Sequence, residues 1–179
     1  ENPNIKGIKL RRNYGQTNAM VAGFDHASGE IIVTMDGDLQ NDPSDIPLLL
    51  KKLDEGYDIV SGWRKERKDH FSRVLPSQIA NWIISSTTGV KLHDFNCGLK
   101  AYRRQVVKTM SIYGELHRYL PVIAFRNGYR VTEIPVKHRA RKHGHSKYGV
   151  ARFTRGAFDL LTITFLTRYK KRPLHLFGS

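Results

Sequence analysis

The stretch from Glu30 to Pro43 narrows the choice of folds more than any other part of this chain. Ile31, Ile32, Val33 and Met35 form an apolar run of strand length, which stops abruptly at Asp36, Asp38 and Gln40. Three oxygen-bearing side chains at alternate positions, beside Gly37, suit a hard divalent cation held at a strand's carboxyl end. Such a cation usually keeps waters and shares itself with a phosphate-bearing substrate. The competing reading is a capped turn, with Asp42-Pro43 starting a helix. Capping accounts for Asn41 to Pro43, but not for acids directly after a buried strand.

Around this strand the pattern alternates. Gly7 to Arg12 reads as a strand, and Gln16 to Ala27 as a helix with Met20, Gly23, Phe24 and Ala27 on one face. Residues 30–36 give the central strand. Asp45 to Glu55 is an amphipathic helix, with Ile46, Leu49, Leu50 and Leu53 inward and Gly56 closing it. Tyr57 to Trp63 is the next strand, helices are expected at about 72–88, 103–110 and 115–127, and a strand at 129–137. This alternation predicts an α/β fold with a mainly parallel sheet covered by helices on both faces. Ligands of such sheets sit at the carboxyl ends of strands, where Asp36 and Asp38 fall.

The 179 residues suffice for one good core. A single cysteine, Cys97, excludes an internal disulfide and fits a reducing compartment. The polar opening residues do not read as a signal peptide, and no run of 18 apolar residues is found that would be expected to span a bilayer. Of the net charge of +14, residues 1–133 supply +4 and residues 134–179 supply +10, with Asp159 the one acid in the latter. That basic region expects an anionic partner: a phosphate-rich substrate, an acidic membrane surface or nucleic acid. An α/β nucleotide site normally begins with a strand and loop, and none precedes Gly7, so the pattern leads us to expect a catalytic domain at 1–149 that lacks its amino-terminal part.

Four further constellations carry chemistry. In the first, residues 61–68 leave a strand and run toward a helix, so that Arg64, Arg73 and Ser77 could converge on one phosphate; a solvated basic loop is the alternative. The second runs from His93 to Arg103. Its Asp94 is either a turn or cap residue, which the residues alone favour, or a pocket-facing base. In the third, Arg139 to Tyr148, a glycine in a basic loop followed by Ser146 and Lys147 can fold over a diphosphate. His138, His143 and His145 lie there too, but without a nearby acid or cysteine they do not argue for zinc. In the fourth, residues 150–172 are broadly apolar between Arg152, Arg155 and a trailing cluster of Arg168, Lys170, Lys171 and Arg172. This suits an amphipathic helix lying in a headgroup region, with part of it packed on the sheet.

Taken in order, Asn13-Tyr14-Gly15-Gln16, Asp36-Gly37-Asp38-Leu39-Gln40, Asp94 to Arg103 and Arg141 to Lys147 resemble family 2 glycosyltransferases acting on polyprenyl phosphates, the group of dolichyl-phosphate mannose synthase and the undecaprenyl-phosphate glycosyltransferases. The resemblance spans nearly the whole chain. It implies a Rossmann-like GT-A fold and inverting transfer of a sugar from a UDP- or GDP-linked donor to a dolichyl or undecaprenyl phosphate. It also implies that Asp36, Asp38 and Gln40 hold Mg²⁺ or Mn²⁺, that Arg64, Arg73 and Ser77 hold the lipid phosphate, and that Arg141, Ser146 and Lys147 close over the donor diphosphate. Asp94, with Asp38, then becomes a catalytic candidate. Residues 150–179 would be a juxtamembrane segment, with membrane helices beginning near Pro173, and the enzyme would work at the cytoplasmic membrane face. A homo-oligomer is compatible with this picture. Transfer to a soluble saccharide is the alternative within the class, and a basic nucleic-acid-binding module lies outside it. The module does not explain Asp36, Asp38 and Gln40 after a buried strand, so nucleic acid is not an expected partner.

Overall fold

The computed structural model describes residues 2–65, 81–86, 88–110, 112–114 and 116–139. In chain order these form α1 (Gln16–His26), β1 (Ile31–Thr34), α2 (Ile46–Asp54), β2 (Ile59–Trp63), β3 (Lys100–Arg103), α3 (Arg104–Thr109), α4 (Leu120–Arg126) and β4 (Val131–Pro135). Residues 81–86 are helical as well. The elements expected at 16–27, 30–36, 45–55, 57–63, 103–110, 115–127 and 129–137 are all present, trimmed by a few residues at their ends. The strand expected at Gly7–Arg12 is not: residues 5–10 are irregular, with Ile5 and Ile8 exposed. Their apolar residues recur every two or three positions rather than alternating, and they have no ladder partner among the described residues.

The sheet order is β1-β3-β2-β4. β2 and β4 pair in parallel, with Ser61 opposite Glu133, while β3 runs antiparallel to both β1 and β2. Three of the four strands therefore share one direction, but the sheet is mixed, because β3 enters between two of them from the opposite side. Alternation along a strand could not reveal this: a fully buried strand reads alike in either direction. The consequence is functional. The carboxyl ends of β1, β2 and β4 and the amino end of β3 lie along one edge. The Asp94–Leu99 segment leading into β3 is thereby brought to the residues that follow β1 and β2.

Helices cover both faces. Ile32, Ile59 and Tyr102 point to one side, into a cluster with Phe24 of α1, Val106 and Val107 of α3, and Leu120 and Ala124 of α4. Val60 and Ala101, alternate to these, pack with Leu49 and Leu53 of α2 on the other side. Phe24 meets Tyr102 edge to face at 5.6 Å between ring centroids. Lys108 closes the carboxyl end of α1 by donating to the carbonyls of Phe24 and Asp25 at 2.7 and 2.9 Å. Among the described residues no helix is long and apolar enough to cross a membrane.

Candidate active site

Asp36 follows β1 directly and lies against the β3 lead-in. One of its oxygens accepts from Gln16 Nε2 at 3.3 Å, at the start of α1. The other side of the carboxylate rests on Gly98: a Cβ there would stand 2.9 Å from Oδ1 and closer still to Oδ2 and Cγ. Only glycine lets the carboxylate lie on this backbone. The chain then turns through Leu39, whose φ of 62° is left-handed. Leucine there is strained, and such strain gathers where the surrounding structure over-determines a turn. Asp38 Oδ1 accepts the Gln40 N–H at 3.2 Å inside this turn.

The turn is clamped from the far side by the residues after β4. Arg139 donates its N–H to the Gln40 carbonyl at 2.9 Å, Gln40 Nε2 returns a bond to the Arg139 carbonyl at 3.3 Å, and Asn41 bridges His138. Arg139 also pairs with Asp42 at 2.5 Å, and Asp45 accepts the Lys137 N–H at 2.7 Å. Asp42 caps the helical turn at Ser44; that N–H, helped by the Ser44 hydroxyl and Arg139, holds its carboxyl below the usual carboxylate range. Asp42 and Asp45 thus fasten the turn, whereas Asp36, Asp38 and Gln40 form it.

On the same edge, Arg64 follows β2 and meets Asp94 in a two-pronged ion pair, Nε to Oδ2 at 2.6 Å and a terminal nitrogen to Oδ1 at 3.0 Å. The pair is largely enclosed, with the side chains 13% and 4% exposed. Asp94 also accepts the Asn96 N–H at 3.1 Å, so it is both a turn residue and a partner of the arginine. Behind it, Glu133 of β4 accepts the N–H groups of His93, at 2.9 and 3.0 Å, and of Asp94, at 3.3 Å, and meets His93 Nδ1. The His93 ring stacks on Trp63 at 4.3 Å and 17°.

Between these groups lies Lys100, the first residue of β3, opposite Thr34 and Ser61 and only 4% exposed. Its ammonium donates to the Cys97 carbonyl. Burial lowers its pKa, with the Cys97 thiol and then Asp94 acting in the opposite direction. Next to it, His117 accepts or donates a 2.6 Å bond with Thr17 Oγ1 of α1, and burial, then Arg118 and Lys100, pull the ring down to about 4. Sequence reasoning singled out neither Lys100, Glu133, His93, Gln16 nor Gly98. A lysine next to Leu99 and Ala101 in a buried strand was the one legible signal among them.

Residues 1–111 match the model of glycosyl transferase family 2. The chain belongs to this family. Dodecaprenyl-phosphate galacturonate synthase of Rhizobium johnstonii is 51% identical over 179 residues, 98% of this chain and 53% of that protein. Undecaprenyl-phosphate 4-deoxy-4-formamido-L-arabinose transferase of Edwardsiella ictaluri is 42% identical over 175 residues, again 98% and 53%. The chain thus spans about half the length of the curated relatives it matches. Among solved structures, glucosyl-3-phosphoglycerate synthase of Mycobacterium tuberculosis, in complex with Mn²⁺, uridine-diphosphate and phosphoglyceric acid, superposes with a TM-score of 0.66 at 16% identity, over 89% of this chain and 55% of that one. That likeness gives the fold, GT-A.

A divalent cation is what this fold implies for the Asp36–Gln40 turn, and the residues fit one. The donors are oxygens alone, two carboxylates and an amide, which suits a hard ion. The space over Gly98 is kept open for the Asp36 carboxylate, and the turn is clamped by the segment after β4. Among the described residues no three His, Cys, Asp or Glu side chains gather, so the other coordination positions would fall to water and substrate. Of the remaining site candidates, Arg73, Ser77, Arg141, Ser146 and Lys147 lie outside the described residues, as does the helix expected at 150–172.

Proposed function

We propose that the protein transfers a sugar from a nucleoside-diphosphate sugar, UDP- or GDP-linked, to a polyprenyl phosphate at the cytoplasmic face of a membrane, with inversion at the anomeric carbon. The observation that carries this reading is the meeting, on one sheet edge, of the Asp36–Gln40 turn and the Arg64–Asp94 pair. The first suits a cation with a diphosphate, and the second presents an arginine of fixed geometry to a second anion. The curated relatives, whose names specify dodecaprenyl- and undecaprenyl-phosphate products or acceptors, support the same choice.

The acceptor phosphate is already ionised near neutral pH, since its second pKa lies at about 6. Its oxygen therefore needs no strong general base to attack the anomeric carbon. The new carbon–oxygen bond forms on one face as the bond to the diphosphate oxygen breaks on the other, which inverts the configuration. When bound, Mg²⁺ or Mn²⁺ at Asp36, Asp38 and Gln40 supplies positive charge to the departing diphosphate. Arg141, Ser146 and Lys147 are assigned to the same diphosphate, and Arg64, Arg73 and Ser77 to the acceptor phosphate. Asp94 then contributes by fixing the Arg64 guanidinium, beside the reacting sugar, rather than by taking a proton. Positioning and electrostatic stabilisation supply most of the acceleration. The basic, apolar segment 150–172 is assigned to an anionic membrane surface.

The test uses membranes containing the full-length protein. Radiolabelled UDP- and GDP-sugars are offered with undecaprenyl or dolichyl phosphate, with and without EDTA, and label entering the organic phase is counted. Label from one donor, abolished by EDTA and restored by Mg²⁺ or Mn²⁺, is the expected result. No lipid-soluble label from any donor, with transfer to a soluble saccharide instead, would replace the acceptor.

A further inference from the structure

Among the described residues Lys100 is the only lysine that the fold buries, 4% exposed at the head of β3. Lysine is almost never enclosed without a partner, because taking its head group out of water is costly. A buried strand does not require one between Leu99 and Ala101, where an apolar side chain of similar volume would pack as well. The Lys100 amine donates to the Cys97 carbonyl. An amine keeps N–H groups to donate with or without its extra proton, so this bond does not depend on the charge it carries.

That carbonyl belongs to the peptide entering Gly98, the residue on which the Asp36 carboxylate lies. Three successive carbonyls of this segment are held. Lys100 takes that of Cys97, Thr34 Oγ1 takes that of Gly98 at 2.9 Å, and the Gly62 N–H takes that of Leu99 at 2.9 Å. The Cys97 side chain is fully buried, and its sulfur sits against Gly62, where a Cβ would stand 2.9 Å from it. Two of the three holds come from the neighbouring strands β1 and β2. The third needs a side chain long enough to turn back three residues along its own segment, and Lys100 supplies it. The amine also lies within electrostatic reach of Asp94, Arg64 and Asp36. A positive charge there opposes a cation at Asp36, so charge does not explain a lysine at this position. Its hold on the peptide does.

We propose that Lys100 is a positioning residue of the cation site: by holding the Cys97–Gly98 peptide it fixes the surface against which the Asp36 carboxylate is set for a divalent ion. This rests on the cation assigned above to the Asp36–Gln40 turn. The experiment uses the full-length protein in detergent with Mn²⁺ alone as the probe, and reads binding from loss of the free-ion signal in electron paramagnetic resonance. Lys100→Met keeps the length of the side chain and loses the donor, while Lys100→Gln keeps an amide donor on a chain one atom shorter. Lys100→Met is expected to bind Mn²⁺ about tenfold more weakly, the usual loss when a partner behind a metal ligand is removed. Lys100→Gln should fall between Lys100→Met and the wild type. The sign separates positioning from charge: removing a positive charge beside Asp36 tightens cation binding, and removing a hold loosens it. Mn²⁺ affinity in Lys100→Met equal to or above that of the wild type overturns the proposal, and so does a Lys100→Gln no better than Lys100→Met. In membranes, KM for undecaprenyl phosphate should stay within about twofold in both variants. A rise there as large as the loss of Mn²⁺ affinity would mean a general loosening of the sheet edge, and overturns it too. If Lys100→Met fails to accumulate, Lys100→Gln decides, and Mn²⁺ affinity at or above the wild type overturns the proposal. A wild type that binds no Mn²⁺ removes the cation from the turn itself, an outcome distinct from normal binding that ignores position 100.

Discussion

Asp36 and Asp38 accept from neutral amide groups at 3.3 and 3.2 Å, whereas Asp94, on the same sheet edge, is gripped by a guanidinium at 2.6 and 3.0 Å. Neutral donors near the long end of the hydrogen-bond range yield readily to a stronger ligand. A two-pronged charged pair enclosed by the fold does not. The same residue type thus marks two kinds of wall: one that shapes the turn after β1, and one whose charge fixes another side chain. This contrast separates substitutions that lower turnover from those that first unfold the corner.

The largest effect is expected where the pair is broken. Asp94→Ala leaves Arg64 enclosed without its carboxylate, and removing one member of a buried pair costs on the order of 3 kcal/mol of stability. A clear fall in thermal midpoint is expected. Replacing both partners with apolar residues, Arg64→Met with Asp94→Leu, should recover much of it. A double variant no more stable than Asp94→Ala would mean that the pair is not a closed unit. Asp94→Asn is milder and tests the role in turnover: a rate near normal would leave Asp94 as a turn residue only.

On the other wall the thermal midpoint should hardly move while turnover falls. Asp36→Ala or Asp38→Ala is expected to lower kcat by about a hundredfold or more, as for loss of one key electrostatic partner. Near-normal rates for both would remove the cation from this turn. Gly98→Ala approaches the same group from outside. Its Cβ would collide with the Asp36 carboxylate and displace it without deleting it. A loss of about tenfold to a hundredfold follows, since small misplacements at a reacting centre have that size. Should Gly98→Ala exceed Asp36→Ala, the glycine would be serving the β3 lead-in rather than the carboxylate.

These two walls were unequally legible in the sequence. The Asp36–Gln40 turn stood out because an apolar run gave way to acids within one residue, a change that secondary structure alone does not call for. Phe24, Leu49 and Leu53 were legible as core through their helical spacing. Asp94 read as a turn residue and Arg64 as a phosphate-binding candidate, and their pairing was missed because nothing local announces a pair separated by 30 residues. Their meeting requires β3 to run against its neighbours, and a buried strand does not record its direction. Glu133, in a half-buried strand, reads as a solvent-facing acid until its three donors are placed. The segment from Gly7 to Arg12 was misread for the converse reason: its composition suits a strand, but a strand is made by its partner.

His117 offers the smallest effect and belongs to neither wall. It is buried beside α1, held to Thr17 Oγ1, and pulled down to about 4 first by burial and then by Arg118 and Lys100. Unfolding returns the ring to its ordinary value near 6.5, so between these two values the unfolded chain binds a proton that the folded chain does not. Stability should therefore fall as the pH drops, by about 2 kcal/mol between pH 7 and pH 5, and level off below pH 4 as far as this group is concerned. His117→Gln, which does not titrate, should flatten that part of the profile in denaturant titrations at fixed pH. A profile in His117→Gln as steep between pH 7 and pH 5 as in the wild type would place the titrating group elsewhere.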